Sequence, residues 1–159
     1  HMKYRILSNE ELSHLEEDFK HFLIVNGVHA EEWEALNKNE VDKAVQLVEV
    51  FSDTVLQKVY EKIEYLEFRS LDTCMVFHLC EDKIELISIH RKAESSIDLS
   101  TVESIHEALK NNADELTFFK TEKNYSKNRE LEIHDMIEQG CLLSSSQFWT
   151  ALSLSIVKN

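Results

Sequence analysis

The sequence predicts a helix-rich α+β fold: a single domain over residues 2–159 with a long central helix and a small antiparallel β-hairpin or three-stranded sheet. Three observations predict it. From Asn39 to about Phe68, Val41, Ala44, Val45, Val48, Phe51, Val55, Leu56, Val59, Ile63 and Leu66 recur at spacings of three, four and seven, the mark of a helix with one buried stripe. After Arg69 the period changes to two: Thr73 to Cys80 and Lys83 to Arg91 are rich in Val, Ile, Phe and Thr around Glu81-Asp82, as in a hairpin. Finally, 159 residues with 43% hydrophobic content, no proline and two glycines can bury one sizeable core and leave little material for flexible linkers.

The elements follow in order. Ser8-Asn9-Glu10-Glu11 is a capping-box pattern, which starts an amphipathic helix carrying Leu12, Leu15, Phe19, Phe22 and Leu23. Asn26-Gly27 ends it, because glycine adopts the positive φ of a helix stop at little cost. His29 to Asn37, with Trp33 and Leu36, reads as a short helix, and Asn39 caps the long one. Ser52-Asp53-Thr54 places three poor helix formers inside that long helix, where a kink or restart is expected. The stripe Val41, Val48, Val55, Val59 and Ile63 is expected to be buried against Leu15, Phe19 and Phe22. The helical part thus covers about residues 8–69 and the hairpin about 73–91.

A two-residue hairpin loop pairs Leu79 with Ile84 and Phe77 with Leu86. A two-stranded ribbon is marginal alone, and Leu116 to Lys123 is the best third strand. The C-terminal helices cover about residues 100–157: one capped by Ser100, one from Ser126 to Gln139 with Gly140 as its stop, and one from Gln147 to Val157 capped within Ser144-Ser145-Ser146.

The chain carries 30 acidic and 17 basic residues, net −13, so generic attraction to nucleic-acid phosphates or anionic lipid is disfavoured. Residues 1–72 hold 16 acids and 8 bases, net −8, whereas residues 112–159 hold 7 and 5, net −2. No stretch approaches the roughly 20 apolar residues that span a bilayer, and Met2 leads into Lys3, Tyr4 and Arg5 without a secretory core. Three unpatterned cysteines argue against a disulfide framework, so a cytoplasmic protein with free thiols is expected. His1 precedes an apparent initiator Met2 and reads as a cloning remnant.

The N-terminal half carries a resemblance. Tyr4-Arg5-Ile6-Leu7, Glu10-Glu11-Leu12, Asn26-Gly27-Val28, Trp33, Phe51-Ser52-Asp53 and Lys62-Ile63-Glu64-Tyr65-Leu66-Glu67 are similar to a family of short uncharacterised bacterial proteins, a domain of unknown function. The resemblance lies mainly in the first 70 residues. It implies a bacterial, intracellular protein and transfers no catalytic residue.

No Gly-rich phosphate loop can form with only Gly27 and Gly140, and no serine stands in a glycine-flanked nucleophile elbow. Catalytic residues and cofactors are therefore not predicted. His14, Asp18 and His21 share the outer face of the first helix, and Glu130, His134 and Glu138 repeat the pattern later; imidazole and carboxylate ligands at these spacings are candidate surface metal sites. Such neighbours also arise by chance where a fifth of the residues are acidic. Cys74, His78 and Cys80 share one strand face, but Cys74 and Cys80 stand roughly 20 Å apart at about 3.3 Å per residue, so they read as packing residues rather than one zinc site. His90 points to the other face.

Lys120, Lys123, Tyr125, Lys127 and Arg129 form the one basic, aromatic-bearing segment of an acidic chain and are the candidate partner-binding residues. The function expected is a non-enzymatic protein-interaction or regulatory module whose partner is another protein. The alternative is a metal-binding protein or metalloenzyme using the surface His, Glu and Asp clusters.

Overall fold

A computed structural model describes residues 2–158; His1 lies outside them. The chain divides into two compact units, residues 1–61 and 62–159.

The first unit is helical. α1 (Asn9–His14) opens on the predicted capping box, with the Ser8 hydroxyl accepting from the Glu11 amide and the Glu11 carboxylate from the Ser8 amide. The expected single amphipathic helix is two: the chain breaks at Leu15 and restarts as α2 (Glu16–Val25), where Glu16, Glu17 and Asp18 favour a new N-terminus by facing its dipole. Gly27 has φ +77°, the positive value expected of it. α3 (Ala30–Asn39) precedes α4 (Val41–Lys62), the long helix.

Ser52-Asp53-Thr54 does not interrupt α4. Instead Ser52 and Asp53 anchor the N-terminal segment: the Ser52 hydroxyl bonds back to the Val48 carbonyl and accepts from the Leu7 amide, and Asp53 accepts from the amides of Lys3 and Tyr4, while the Thr54 hydroxyl bonds back to the Val50 carbonyl. The expected stripe is corrected. Val41 and Val59 are 56% and 45% exposed, while Ala44, Phe51, Ser52, Leu56 and Tyr60 are buried. α4 has partners on two sides: Phe51 meets Phe19 and Phe22 with ring centroids 5.0 and 5.3 Å away, and Tyr60 meets Tyr4 edge-on at 5.0 Å.

The second unit is a five-stranded antiparallel sheet with helices, so the fold is α+β as predicted. β1 (Tyr65–Arg69), β2 (Thr73–Leu79), β3 (Lys83–Arg91), β4 (Leu116–Asn124) and β5 (Leu142–Leu143) stand in the order β4-β3-β2-β1-β5. The hairpin has the predicted register, Leu79 opposite Ile84 and Phe77 opposite Leu86. The predicted third strand is β4, paired along its length with β3. β1 takes over residues assigned to the tail of the long helix, and β5 was not anticipated.

One sheet face buries Cys74, Val76, Ile87 and Ile89 under α5 (Val102–Asn111) and α7 (Ser146–Lys158), which contribute Ile105, Ala108, Phe148 and Leu152. The other face buries Leu66, Leu79 and Ile84. Thr101, not Ser100, caps α5, and Ser145 accepts from the Phe148 amide at the start of α7. α6 (Arg129–Glu138) begins three residues later than expected because Asn128 is its N-cap and the Glu132 carboxylate gathers the Ser126 amide and hydroxyl and the Lys127 amide before it. Gly140 follows with φ +108°. Among the described residues no helix is long and apolar enough to cross a membrane.

Candidate functional site

Antiparallel pairing places His78 on β2 directly opposite Glu85 on β3, and Cys80 follows β2 in the tight connection between them. His78 Nδ1 lies 3.0 Å from Glu85 Oε1, and the Cys80 Sγ lies 3.6 Å from each of these atoms. His78 and Glu85 keep 29% and 26% side-chain exposure, so the cluster opens to solvent at the end of the sheet face that α7 covers further along. Among the described residues, this is the one place where three His, Cys, Asp or Glu donor atoms converge within 4.8 Å.

The surroundings fix these groups. The Tyr65 ring stacks on the His78 imidazole, with centroids 4.6 Å apart and planes 10° from parallel, and Trp149 lies 5.5 Å from the same imidazole. Beneath Cys80, its carbonyl accepts from the Tyr125 hydroxyl at 2.6 Å and from Arg129 Nε at 3.2 Å. Arg129 also donates to the carbonyls of Leu79 and Ile63, which ties the start of α6 to the ends of the strands. Burial pushes the Cys80 thiol up, helped by the Glu85 charge. Burial acts on the Glu85 carboxyl in the same direction, but the contacts with His78 and Cys80 outweigh it and leave Glu85 below the usual carboxylate range.

A second feature lies at the sheet edge. β4 pairs with β3 on one side and ends the sheet on the other, so alternate backbone groups along nine residues face outward. Leu116 is buried and Phe118 half-buried, but the rest of the strand is exposed, including Phe119 at 55%. By register Lys120 and Lys123 project to opposite sheet faces. Lys120 Nζ lies 5.8 Å from the Trp149 ring centroid, and Glu122 pairs with Lys83 at 2.8 Å.

The predicted basic segment therefore divides. Lys120 and Lys123 stand on the edge strand, Lys127 pairs with Asp135, and Tyr125 and Arg129 brace the Cys80 backbone. Among the described residues, neither His14, Asp18 and His21 nor Glu130, His134 and Glu138 bring three ligand atoms together. His14 ends α1 whereas Asp18 and His21 belong to α2, so the break at Leu15 removes the continuous helical face that related them. Glu130 instead pairs with Arg129 at 3.0 Å.

Cys74 is fully buried in the core, as a packing residue is, and burial pushes its thiol up to about 12. The grouping of His78, Cys80 and Glu85 is not visible along a single strand, where the sequence relates Cys80 only to His78 and Cys74. The signal lay in the hairpin register itself, which sets Glu85 opposite His78 once Leu79 faces Ile84.

No curated protein and no solved structure matches the chain. A family model matches residues 2–157, so the kinship seen mainly in the first 70 residues runs along nearly the whole chain, which belongs to DUF6495, a family of unknown function.

Proposed function

We propose that the protein is a protein-interaction or regulatory module of the bacterial cytoplasm, and that β4 receives an extended, acidic segment of a partner protein. The observation that carries this reading is the edge strand: nine residues, alternate ones turning their amides and carbonyls outward, with two lysines and an exposed phenylalanine on a chain of net charge −13. Strand addition supplies main-chain hydrogen bonds and register, while side chains projecting to either face choose the partner. Two copies of β4 pairing together would bring lysines close to one another, which is a device against self-association. An acidic strand meets the same lysines favourably, and its approach is accelerated by them. Free Cys74, Cys80 and Cys141 suit a reducing compartment.

The test is capture of partners from the native cytoplasm with wild type and with Lys120→Glu/Lys123→Glu, followed by hydrogen exchange on the purified complex. The double variant should keep its stability and lose the partner, and the wild-type complex should protect outward amides of β4. Protection confined to other elements, or equal capture by the double variant, refutes the reading.

A further inference from the structure

We infer that His78 Nδ1, Cys80 Sγ and Glu85 Oε1 form a binding site for a divalent transition metal of the zinc class, with a fourth coordination position open to solvent. This inference is independent of the β4 reading.

The first argument is geometric. With Zn–S of about 2.3 Å, Zn–N and Zn–O of about 2.0–2.1 Å and tetrahedral angles, a thiolate sulfur stands about 3.5 Å from the other donors, and nitrogen and oxygen stand about 3.3 Å apart. The observed separations are 3.6, 3.6 and 3.0 Å. The three atoms thus already outline one face of a coordination tetrahedron, and closure onto an ion needs shifts of a few tenths of an ångström.

The second argument separates a metal site from a catalytic relay. In a cysteine–histidine–carboxylate relay the thiol and the carboxylate address different ring nitrogens. Here Cys80 and Glu85 both address Nδ1. A single proton can bridge Nδ1 to Glu85, but then that nitrogen has no lone pair to take the thiol proton. A cation at the centre satisfies all three donors at once.

The third argument is chemical. Thiolate and imidazole select zinc-like ions over the hard, oxygen-seeking Mg²⁺ and Ca²⁺. When Sγ coordinates, its proton leaves to solvent, and His78 binds as neutral imidazole protonated on Nε2. One thiolate and one carboxylate then neutralise a dication, so no net charge is placed in this half-buried position. The donors are held by their surroundings: Tyr65 stacks on His78, while Tyr125 and Arg129 hold the Cys80 carbonyl. Three protein ligands with an open position is the arrangement that lets a metal bind water or a small ligand.

The experiment titrates Co²⁺, as a spectroscopic stand-in for Zn²⁺, into tag-free full-length protein after chelation, with Zn²⁺ competition and thermal unfolding. One equivalent should bind with d–d intensity typical of a four-coordinate site and a near-ultraviolet thiolate-to-cobalt band. Zn²⁺ should remove both signals, and Zn²⁺ should raise the melting temperature. Cys80→Ser should abolish the thiolate band and weaken binding by more than about 10–100-fold, the loss seen when only a supporting partner of a ligand is removed. Glu85→Gln should weaken binding while retaining the band, and Cys141→Ser should leave binding unchanged. Circular dichroism of each apo variant verifies folding, which these half-exposed positions permit. Lack of stoichiometric binding by folded wild type, an unchanged thiolate band in Cys80→Ser, or loss of that band in Cys141→Ser overturns the assignment.

Discussion

Arg129→Ala should be among the most damaging single truncations in the second unit. Its guanidinium donates to the carbonyls of Cys80 at 3.2 Å, Leu79 at 2.9 Å and Ile63, and pairs with Glu130 at 3.0 Å with both side chains 15% exposed. Hydrogen bonds from a charged donor contribute about 1.5–3 kcal/mol each, and a buried partner left unpaired costs about 1–3 kcal/mol. The carbonyls belong to the last residue of β2, the residue after it and the segment between α4 and β1. Water entering the space that the truncation vacates would take over part of the bonding, so the loss expected is about 3–4 kcal/mol rather than the full sum. Against a typical domain stability of about 5–15 kcal/mol this is a large fraction. At about 2–4 °C per kcal/mol for a chain of this size, the melting temperature should fall by about 6–16 °C. Arg129→Lys keeps the charge but replaces a planar fork with a point donor, so it should recover less than half of the loss. Thermal and urea unfolding with an unchanged m-value are the assays. An Arg129→Ala protein melting within about 2 °C of wild type would refute the clamp.

Leu56→Ala in α4 should cost about 2–5 kcal/mol because Leu56 is 5% exposed, whereas Val59→Asp, at a position 45% exposed, should cost under about 1 kcal/mol; urea midpoints that rank them the other way would put the buried face elsewhere. For pH, the Arg5 guanidinium and the Ser8 amide bring Glu11 down to about 2. A lowered folded-state pKa gives stability that is fully present above the unfolded value of about 4.3 and is lost as pH falls toward 2. Arg5 and Glu11 are 39% and 40% exposed, so screening reduces the effect. Glu11→Gln should therefore melt slightly below wild type at pH 7, and the two curves should meet near pH 2; a gap that persists in acid would show that the carboxylate charge is not its source.

The elements with local causes were legible in the sequence. The capping box at Ser8, the positive φ of Gly27 and Gly140, and the hairpin register depend on residues within a few positions of one another, and each has the predicted geometry. β4 was legible for a similar reason, since the hairpin needed a further strand and Leu116 to Lys123 was the remaining candidate. The end of α4 was not, because Ile63 and Leu66 continue the helical spacing while Tyr65–Arg69 also satisfies a strand. Pairing of β1 with β2 and β5 decided between them, through backbone hydrogen bonds to residues distant in sequence. The buried face of α4 also needed the tertiary structure, since Val59 and Leu56 are equally apolar and only the placement of Phe19, Phe22, Tyr4 and Leu7 distinguishes them.

The same division runs through the candidate sites. A basic stretch from Lys120 to Arg129 is visible in composition, but it divides into two edge-strand lysines, one surface ion pair and a clamp on the Cys80 backbone once β4 and α6 take their places. Residue types by themselves placed His78 and Cys80 on one strand, at a spacing that does not require a shared ion. Convergence with Glu85 exists because antiparallel pairing brings residues seven positions apart to 3.0 Å, and Arg129, 49 residues beyond Cys80, fixes the backbone that carries the sulfur. A donor cluster is a property of distances in space, and here those distances are set by cross-strand register and by a guanidinium from α6.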